Sequence, residues 1–143
     1  MSMKTSIPAV ALAAMLAAAA PAMGQADATF HGLGGKPGIK HIVATLIPLV
    51  LADARIKDSF TDIDMPKLAL RLEEQFCVLS GGPCVYQGKD MTEIHDGLNI
   101  TNAQFNALAE DLQVAMERSG VPSRYAYKLM AKLAPMQRAI VTK

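Results

Sequence analysis

Apolar side chains recur every three or four residues through most of this 143-residue chain, and no stretch alternates with the period of two that marks a strand. The first such segment begins after Pro37, which the opening turn of a helix tolerates, and continues to Leu51. It predicts a helix with one buried face over residues 38–52. Pro48 lies inside this helix and lacks a backbone donor, so we expect a kink or an early break there.

Two further helices are predicted from the same spacing and from their start and stop signals. Asp64 is the expected N-cap of a helix over residues 65–79, which ends at a pair of glycines. Thr101 opens a capping box, and the helix that it begins runs towards Gly120.

A last helix begins at Pro122, and its apolar face continues to Ile140 with a bend favoured at Pro135. The chain is therefore predicted to be all-α, with a single domain and no internal repeat. This pattern by itself equally allows a plain four-helix bundle.

Residues 1–24 predict a cleaved signal peptide rather than a part of the fold. Lys4 gives a positive start, and the apolar run that follows is too short to span a bilayer comfortably and ends in small residues. Cleavage after Gly24 leaves a mature domain of residues 25–143, whereas cleavage after Ala26 and an uncleaved anchor are the alternatives. We expect the mature protein in the periplasm or outside the cell.

The charge of the mature domain excludes some classes of partner. Loss of Lys4 leaves 13 basic and 13 acidic side chains with no clustered patch of either sign. Nucleic-acid binding is disfavoured because it usually requires lysine and arginine gathered on one face. No membrane partner is expected after the leader is removed, since the leader carries the long continuous apolar run of the chain.

Cys77 and Cys84 stand on either side of the glycine pair that ends the second helix. In an exported protein this arrangement favours a disulfide, which would attach the end of that helix to the loop after it. Two buried or free thiols are the alternative, because the sequence does not show whether the two Cβ atoms meet.

The stretch 81–101 contains one histidine, His95, on a short helical segment with apolar neighbours. No HxxxH or CxxC spacing occurs in the chain, so a metal site made of protein ligands alone is not expected. A haem needs only one axial imidazole from the protein, and His95 could supply it. A histidine satisfied in the core or at the surface is the other interpretation of this residue.

Several motifs in order resemble the group 1 truncated haemoglobins. The glycine pair, proline, aromatic residue, glycine, methionine and proximal histidine of that family correspond to Gly81, Gly82, Pro83, Tyr86, Gly88, Met91 and His95. Similar motifs at residues 30–35, 51–60 and 133–136 extend the likeness over residues 30–143. The resemblance implies a bacterial, exported truncated globin with a two-over-two helical sandwich, a haem b cofactor and His95 as the proximal iron ligand.

The same resemblance assigns the side of the haem that would face a bound gas. The position that is commonly tyrosine falls on Ile47, and the two facing positions of the next helix fall on Leu68 and Leu72, the second of which is often glutamine in relatives. An aliphatic wall donates no hydrogen bond to bound dioxygen, and such a bond is worth about 1.5 to 3 kcal/mol. We therefore expect dioxygen to dissociate quickly, with carbon monoxide and nitric oxide less affected.

Three further residues are implied by the resemblance, and each has an ordinary structural alternative. Phe60 would stack on the haem and Phe76 would line the route to the iron, although any core buries such residues. Arg71 could pair with a haem propionate, or it could form a solvated helix face with Glu74.

These expectations favour a haem protein that reversibly binds a diatomic gas (dioxygen, carbon monoxide or nitric oxide) over an enzyme. The alternative is a redox enzyme acting on nitric oxide or peroxide at the same haem with an unidentified redox partner, but an aliphatic wall offers no general acid or base. A third hypothesis is a helical interaction module without haem. The oligomeric state does not follow from the sequence.

Overall fold

The computed structural model describes residues 25–143, and the predicted signal peptide lies outside them. This part of the chain contains seven α-helices: α1 Gln25–Gly32, α2 Gly35–Ala52, α3 Met65–Leu79, α4 Met91–His95, α5 Asn102–Arg118, α6 Ser123–Leu133 and α7 Gln137–Ile140. Short 3-10 helices cover Lys57–Phe60 and Ala134–Met136. Within the described range, no helix is both long and apolar enough to cross a bilayer.

The predicted helices are confirmed, and their signals act as expected. The Asp64 carboxylate accepts a hydrogen bond from the Lys67 amide at 3.0 Å, and α3 covers the predicted residues 65–79. Both halves of the Thr101 capping box are formed at the start of α5. The predicted last helix bends at Pro135, where a 3-10 helix separates α6 from α7.

One expectation about helix extent was wrong, and one helix was not predicted. Helix α2 is not broken at Pro48 but continues to Ala52. Pro48 is exposed, as is Ala44 one turn earlier, so the carbonyl group left without a donor can face water. Helix α1 was not predicted, because it is only eight residues long and has no clear apolar stripe.

Helix α2 lies at the centre of the fold and packs against both α3 and α5, while α6 packs against α5 and α3. The pairs α2/α3 and α5/α6 thus form two layers, and α1 contacts α2 and α6. Most of the fully buried side chains come from one face of α2 and from its partners, and they include Ile39, Ile42, Leu46, Phe76, Met116 and Leu129.

Gly82 ties the end of α3 to α1 through a close approach that admits no side chain. A Cβ atom placed on Gly82 would lie 2.4 Å from the ring of Phe30 and 2.6 Å from the sulfur of Cys77. The amide of Phe30 also donates to the carbonyl of Ser80 at 3.0 Å. The loop that leads to α4 is therefore anchored at its start.

Candidate functional site

His95 is the last residue of α4, a helix of five residues that begins after Asp90. The Asp90 carboxylate accepts a hydrogen bond from the Glu93 amide at 2.8 Å and so caps the helix. The imidazole is half-buried, and its Nδ1 lies 2.8 Å from the carbonyl oxygen of Met91. A carbonyl can only accept, so Nδ1 carries a proton in this contact, and in the neutral imidazole Nε2 then presents a lone pair that can bind a metal.

Two aliphatic side chains next to His95 are exposed to solvent. Ile94 is 43% exposed and Leu98 is 51% exposed. Burial of such side chains stabilises a protein by roughly 25 cal/mol for each Å² of apolar surface removed from water. A flat apolar group laid against His95 would therefore gain contacts that the polypeptide alone leaves unmade.

A cavity of about 260 Å³ lies between the second half of α3 and the base of α4. Its lining is mostly apolar and consists of Gln75, Val78, Leu79, Tyr86, Asp90, Met91 and Met136. This volume is slightly below the range of about 300 to 1,000 Å³ usual for small-molecule pockets, so a macrocycle would require lining side chains to move.

None of the residues that line this cavity was among the predicted site residues, and Gln75 is the one with polar contacts across it. Its side-chain nitrogen lies 3.4 Å from the sulfur of Met91 and 3.7 Å from the sulfur of Met136. A signal was present, since Gln75 follows Leu72 by three residues and precedes Leu79 by four and so shares the apolar face of α3. The glutamine interrupts that face at the point where the helix meets α4.

The three aliphatic residues expected on the gas side lie on the two helices of one layer. Ile47 belongs to α2, and Leu68 and Leu72 belong to α3; all three are half-buried. Ile47, Leu72 and Phe60 pack against the buried core. None of these four residues lines the cavity beside Met91. Their roles towards a cofactor stay predictions.

Phe76 lies in the core, as its structural alternative expected, and Arg71 pairs with Glu74, although this pair is partly buried rather than solvated. Phe76 is 2% exposed and belongs to the core. The Arg71 Nη1 lies 2.6 Å from Glu74 Oε2, and the same carboxylate oxygen accepts from the Gln87 amide at 3.0 Å. Arg71 therefore helps to hold the loop before α4, and its contact with a propionate stays a prediction.

The Glu74 carboxylate makes the stability of the fold depend on pH. Hydrogen bonds from the Gln87 amide and from Arg71 hold the pKa of Glu74 below its ordinary value of 4.5. Because the pKa of Glu74 is lower in the folded state, its charge stabilises the fold fully at pH values above the ordinary pKa. This stabilisation is lost as the pH falls through the lowered pKa of the folded state.

We expect Glu74→Gln to lower the free energy of unfolding by a constant amount from pH 7 down to about pH 5. The difference from the unsubstituted protein should shrink below about pH 4.5. Denaturant unfolding at a series of pH values measures it, with Glu73→Gln as a control that removes the same charge one residue away. A difference that stays constant down to acid pH would show that the Glu74 charge contributes nothing.

Cys77 and Cys84 form the disulfide that the sequence analysis favoured, with their Cα atoms 5.9 Å apart. Cys77 lies in the buried core near the end of α3, and Cys84 lies in the loop that leads to α4. The bridge, the Glu74 contact and a hydrogen bond from the Tyr86 hydroxyl to the Lys89 carbonyl at 2.9 Å together order this loop.

Replacement of both cysteines by alanine is expected to lower the free energy of unfolding by about 2.5 kcal/mol, the loop-closure entropy for a loop of this size. For a domain of this length the melting temperature should fall by about 10 °C. Thermal unfolding of the variant and of the native protein with and without a dithiol reductant measures the effect. Equal stability of the oxidised and reduced native protein, or two titratable thiols before reduction, would contradict it.

Among residues 25–143, no group of three or more histidine, cysteine, aspartate or glutamate side chains converges to hold a metal ion. The donor set at α4 is a single imidazole with one oriented nitrogen. A cofactor that brings most of its own metal ligands fits this arrangement, whereas a bare ion does not.

Comparisons with known proteins identify similar chains. A group 1 truncated haemoglobin of Tetrahymena pyriformis is 35% identical over 99 residues, which are 69% of this chain and 82% of that protein. A second, from Mycolicibacterium paratuberculosis, is 32% identical over 113 residues, or 79% of this chain and 83% of that protein. The crystal structure of the Tetrahymena pyriformis protein in its Fe(III) form superimposes with a TM-score of 0.77 at 30% identity, covering 80% of this chain and 98% of that one.

Three further crystal structures of the Tetrahymena protein each carry one substitution: a tyrosine is replaced in one, and a different glutamine is replaced in each of the other two. The tyrosine precedes the first glutamine by 21 residues, and the two glutamines are four residues apart. Ile47, Leu68 and Leu72 have the same separations in this chain.

The sequence profile described as bacterial-like globin matches residues 28–142, which is most of the chain. The predicted all-α sandwich of two helix pairs is confirmed by the superposition on a solved truncated haemoglobin. The chain therefore belongs to the bacterial-like globin family, whose members are haem-binding globins, and its fold is that of a truncated haemoglobin.

Proposed function

We propose that this protein binds haem b through Nε2 of His95 and reversibly binds a diatomic gas on the opposite side. The observation that carries the proposal is the 2.8 Å contact between His95 Nδ1 and the Met91 carbonyl oxygen. This contact fixes the tautomer and the ring orientation that a metal-ligating histidine requires. When bound, haem would supply an iron that His95 would hold and that would bind the gas.

The chain would offer the cofactor an apolar surface beside His95. Ile94 and Leu98 flank His95, and the apolar cavity side chains extend this surface towards the end of α3. Phe60 is assigned to stacking on the ring. Arg71 is assigned to a haem propionate. Its guanidinium would then bind the propionate in place of the Glu74 carboxylate.

The gas side is formed by Ile47, Leu68 and Leu72, and none of these side chains can donate a hydrogen bond. The assignment of these three residues to the gas side is supported by the spacing that they share with the tyrosine and two glutamines of the Tetrahymena protein. The chain therefore does not favour dioxygen over carbon monoxide or nitric oxide through a polar contact. The same aliphatic wall supplies no proton donor or acceptor, which favours gas binding over turnover of nitric oxide or peroxide.

We also propose that the protein is exported and loses residues 1–24. The supporting observations are the apolar leader and the disulfide between Cys77 and Cys84, a bond that persists in oxidising compartments. Mass spectrometry of the protein from the periplasmic fraction should give the mass of residues 25–143. The full-length mass in the cytosolic fraction alone would contradict export.

An absorption spectrum of the purified protein tests the cofactor, its ligation and its gas side together. The ferric and ferrous proteins should show Soret bands of a histidine-ligated haem, and carbon monoxide should shift the ferrous band. A colourless protein that takes up no added haemin would overturn the proposal and leave the helical interaction module as the function.

A further inference from the structure

Helix α4, which carries His95, is too short to be stable or to keep a fixed orientation without contacts from the rest of the fold. Five residues make little more than one helical turn, and isolated helices shorter than about 12 to 15 residues are marginal in water. The position of the imidazole therefore depends on whatever holds the two ends of α4. The loop before it is tied by the disulfide and by Glu74.

The segment after His95 has little regular structure of its own. Gly97 and Asn99 both have left-handed backbone conformations, with φ of 73° and 52°. Asparagine adopts this region more readily than most residues, and the Asn99 side chain donates to the Gly97 carbonyl at 3.2 Å. Such a turn needs support from outside to keep one arrangement.

Residues 137–143 supply that support from the far end of the chain. Helix α7 packs directly against α4. After α7, Val141 forms a parallel bridge with Ile100, and the Thr142 and Lys143 amides donate to the Ile100 carbonyl at 3.0 Å and 3.3 Å.

One side-chain contact reinforces this backbone pairing. The side-chain amide of Gln137 donates to the side-chain oxygen of Asn102, the first residue of α5. Met136, which precedes α7, reaches Gln75 in the cavity wall. Residues 137–143 therefore contact α4, the turn after it and the start of α5.

We propose that residues 137–143 form a clamp that sets the direction of the His95 imidazole, an inference that rests on the proposed role of His95 as the iron ligand. The clamp holds the turn after His95 through Ile100 and holds α4 through α7. Gln137 and Thr142 are then positioning residues, since neither is placed against the cofactor.

The Thr142 amide allows a sharp test, because proline at this position removes the donor and alanine keeps it. Val141 has an extended backbone with ψ of 116°, which is compatible with a following proline. We expect Thr142→Pro to shift and broaden the iron–histidine stretching band of the ferrous protein in resonance Raman spectra. Release of haem to an excess acceptor should become roughly fivefold faster, the factor expected for one hydrogen bond.

Thr142→Ala should match the unsubstituted protein in both measurements. Gln137→Met, which removes the contact with Asn102 but retains an unbranched helix-forming side chain, is a second variant with an expected shift of the same band. Circular dichroism checks that each variant is folded.

Two results would overturn the clamp. In the first, Thr142→Pro and Gln137→Met keep the native stretching band and the native haem release rate, while His95→Ala loses the band; the proposed function then stands without the clamp. In the second, the unsubstituted protein shows no iron–histidine band, which removes both the proposed function and the clamp.

Discussion

His95→Ala is expected to lose the spectrum of a histidine-ligated haem and to release haem more than about a hundredfold faster than the unsubstituted protein. Loss of a group that merely supports a metal ligand already costs 10- to 100-fold in metal affinity, so loss of the ligand should cost more. The fold should survive, because His95 is half-buried at the end of a short helix and is absent from the core.

The absorption spectrum and the transfer of haem to an excess acceptor measure this effect. His41→Ala is the matched control, since His41 is exposed on α2 and has no assigned role towards the cofactor. Added imidazole should restore the spectrum of His95→Gly, because the free ring can fill the space of the missing side chain. An unchanged Soret band in His95→Ala would show that another group holds the iron.

Leu72→Gln is expected to slow the dissociation of dioxygen by roughly ten- to a hundredfold. The substitution places an amide donor on the gas side, and a hydrogen bond to a partly charged acceptor is worth about 1.5 to 3 kcal/mol. The dissociation of carbon monoxide should change less, since that ligand gains less from the bond. Leu72 is half-buried, so a glutamine at this position can be accommodated without a large cavity.

Stopped-flow measurements of both gases on Leu72→Gln and Leu72→Met separate polarity from shape. Methionine keeps an apolar side chain of similar volume and should leave the ratio of the two dissociation rates unchanged. Equal dioxygen rates in the two variants would show that position 72 does not face the gas, and the assignment of the aliphatic wall would fail.

The helices of this protein could be predicted well where their signals are local. Helix α3 begins and ends at the predicted residues, because the Asp64 cap and the glycine pair act on the backbone within a few residues. The capping box at Thr101 was predicted correctly for the same reason. The extent of α2 to residue 52 was also predicted, but the early break favoured at Pro48 does not occur, since the effect of a proline depends on which face of the helix meets water.

The candidate site divides in the same way. The position of His95 on a short helix and its contact with Met91 four residues earlier are local features of the 91–95 segment. The spacing of α3 could place Gln75 on the apolar face of that helix, but its contacts with Met91 and Met136 could not be predicted, because these residues lie 16 and 61 positions further along the chain.

By itself, the sequence determined the helical segments other than α1, the caps of α3 and α5, and which histidine ends the helix of the candidate site. These properties follow from the repeat of apolar residues and from hydrogen bonds within one or two turns. The tertiary structure alone decided that Cys77 reaches Cys84 and that residues 137–143 pair with Ile100. The physical reason is that such contacts arise from how the helices pack against one another, and that packing is set by the whole core rather than by the residues in contact.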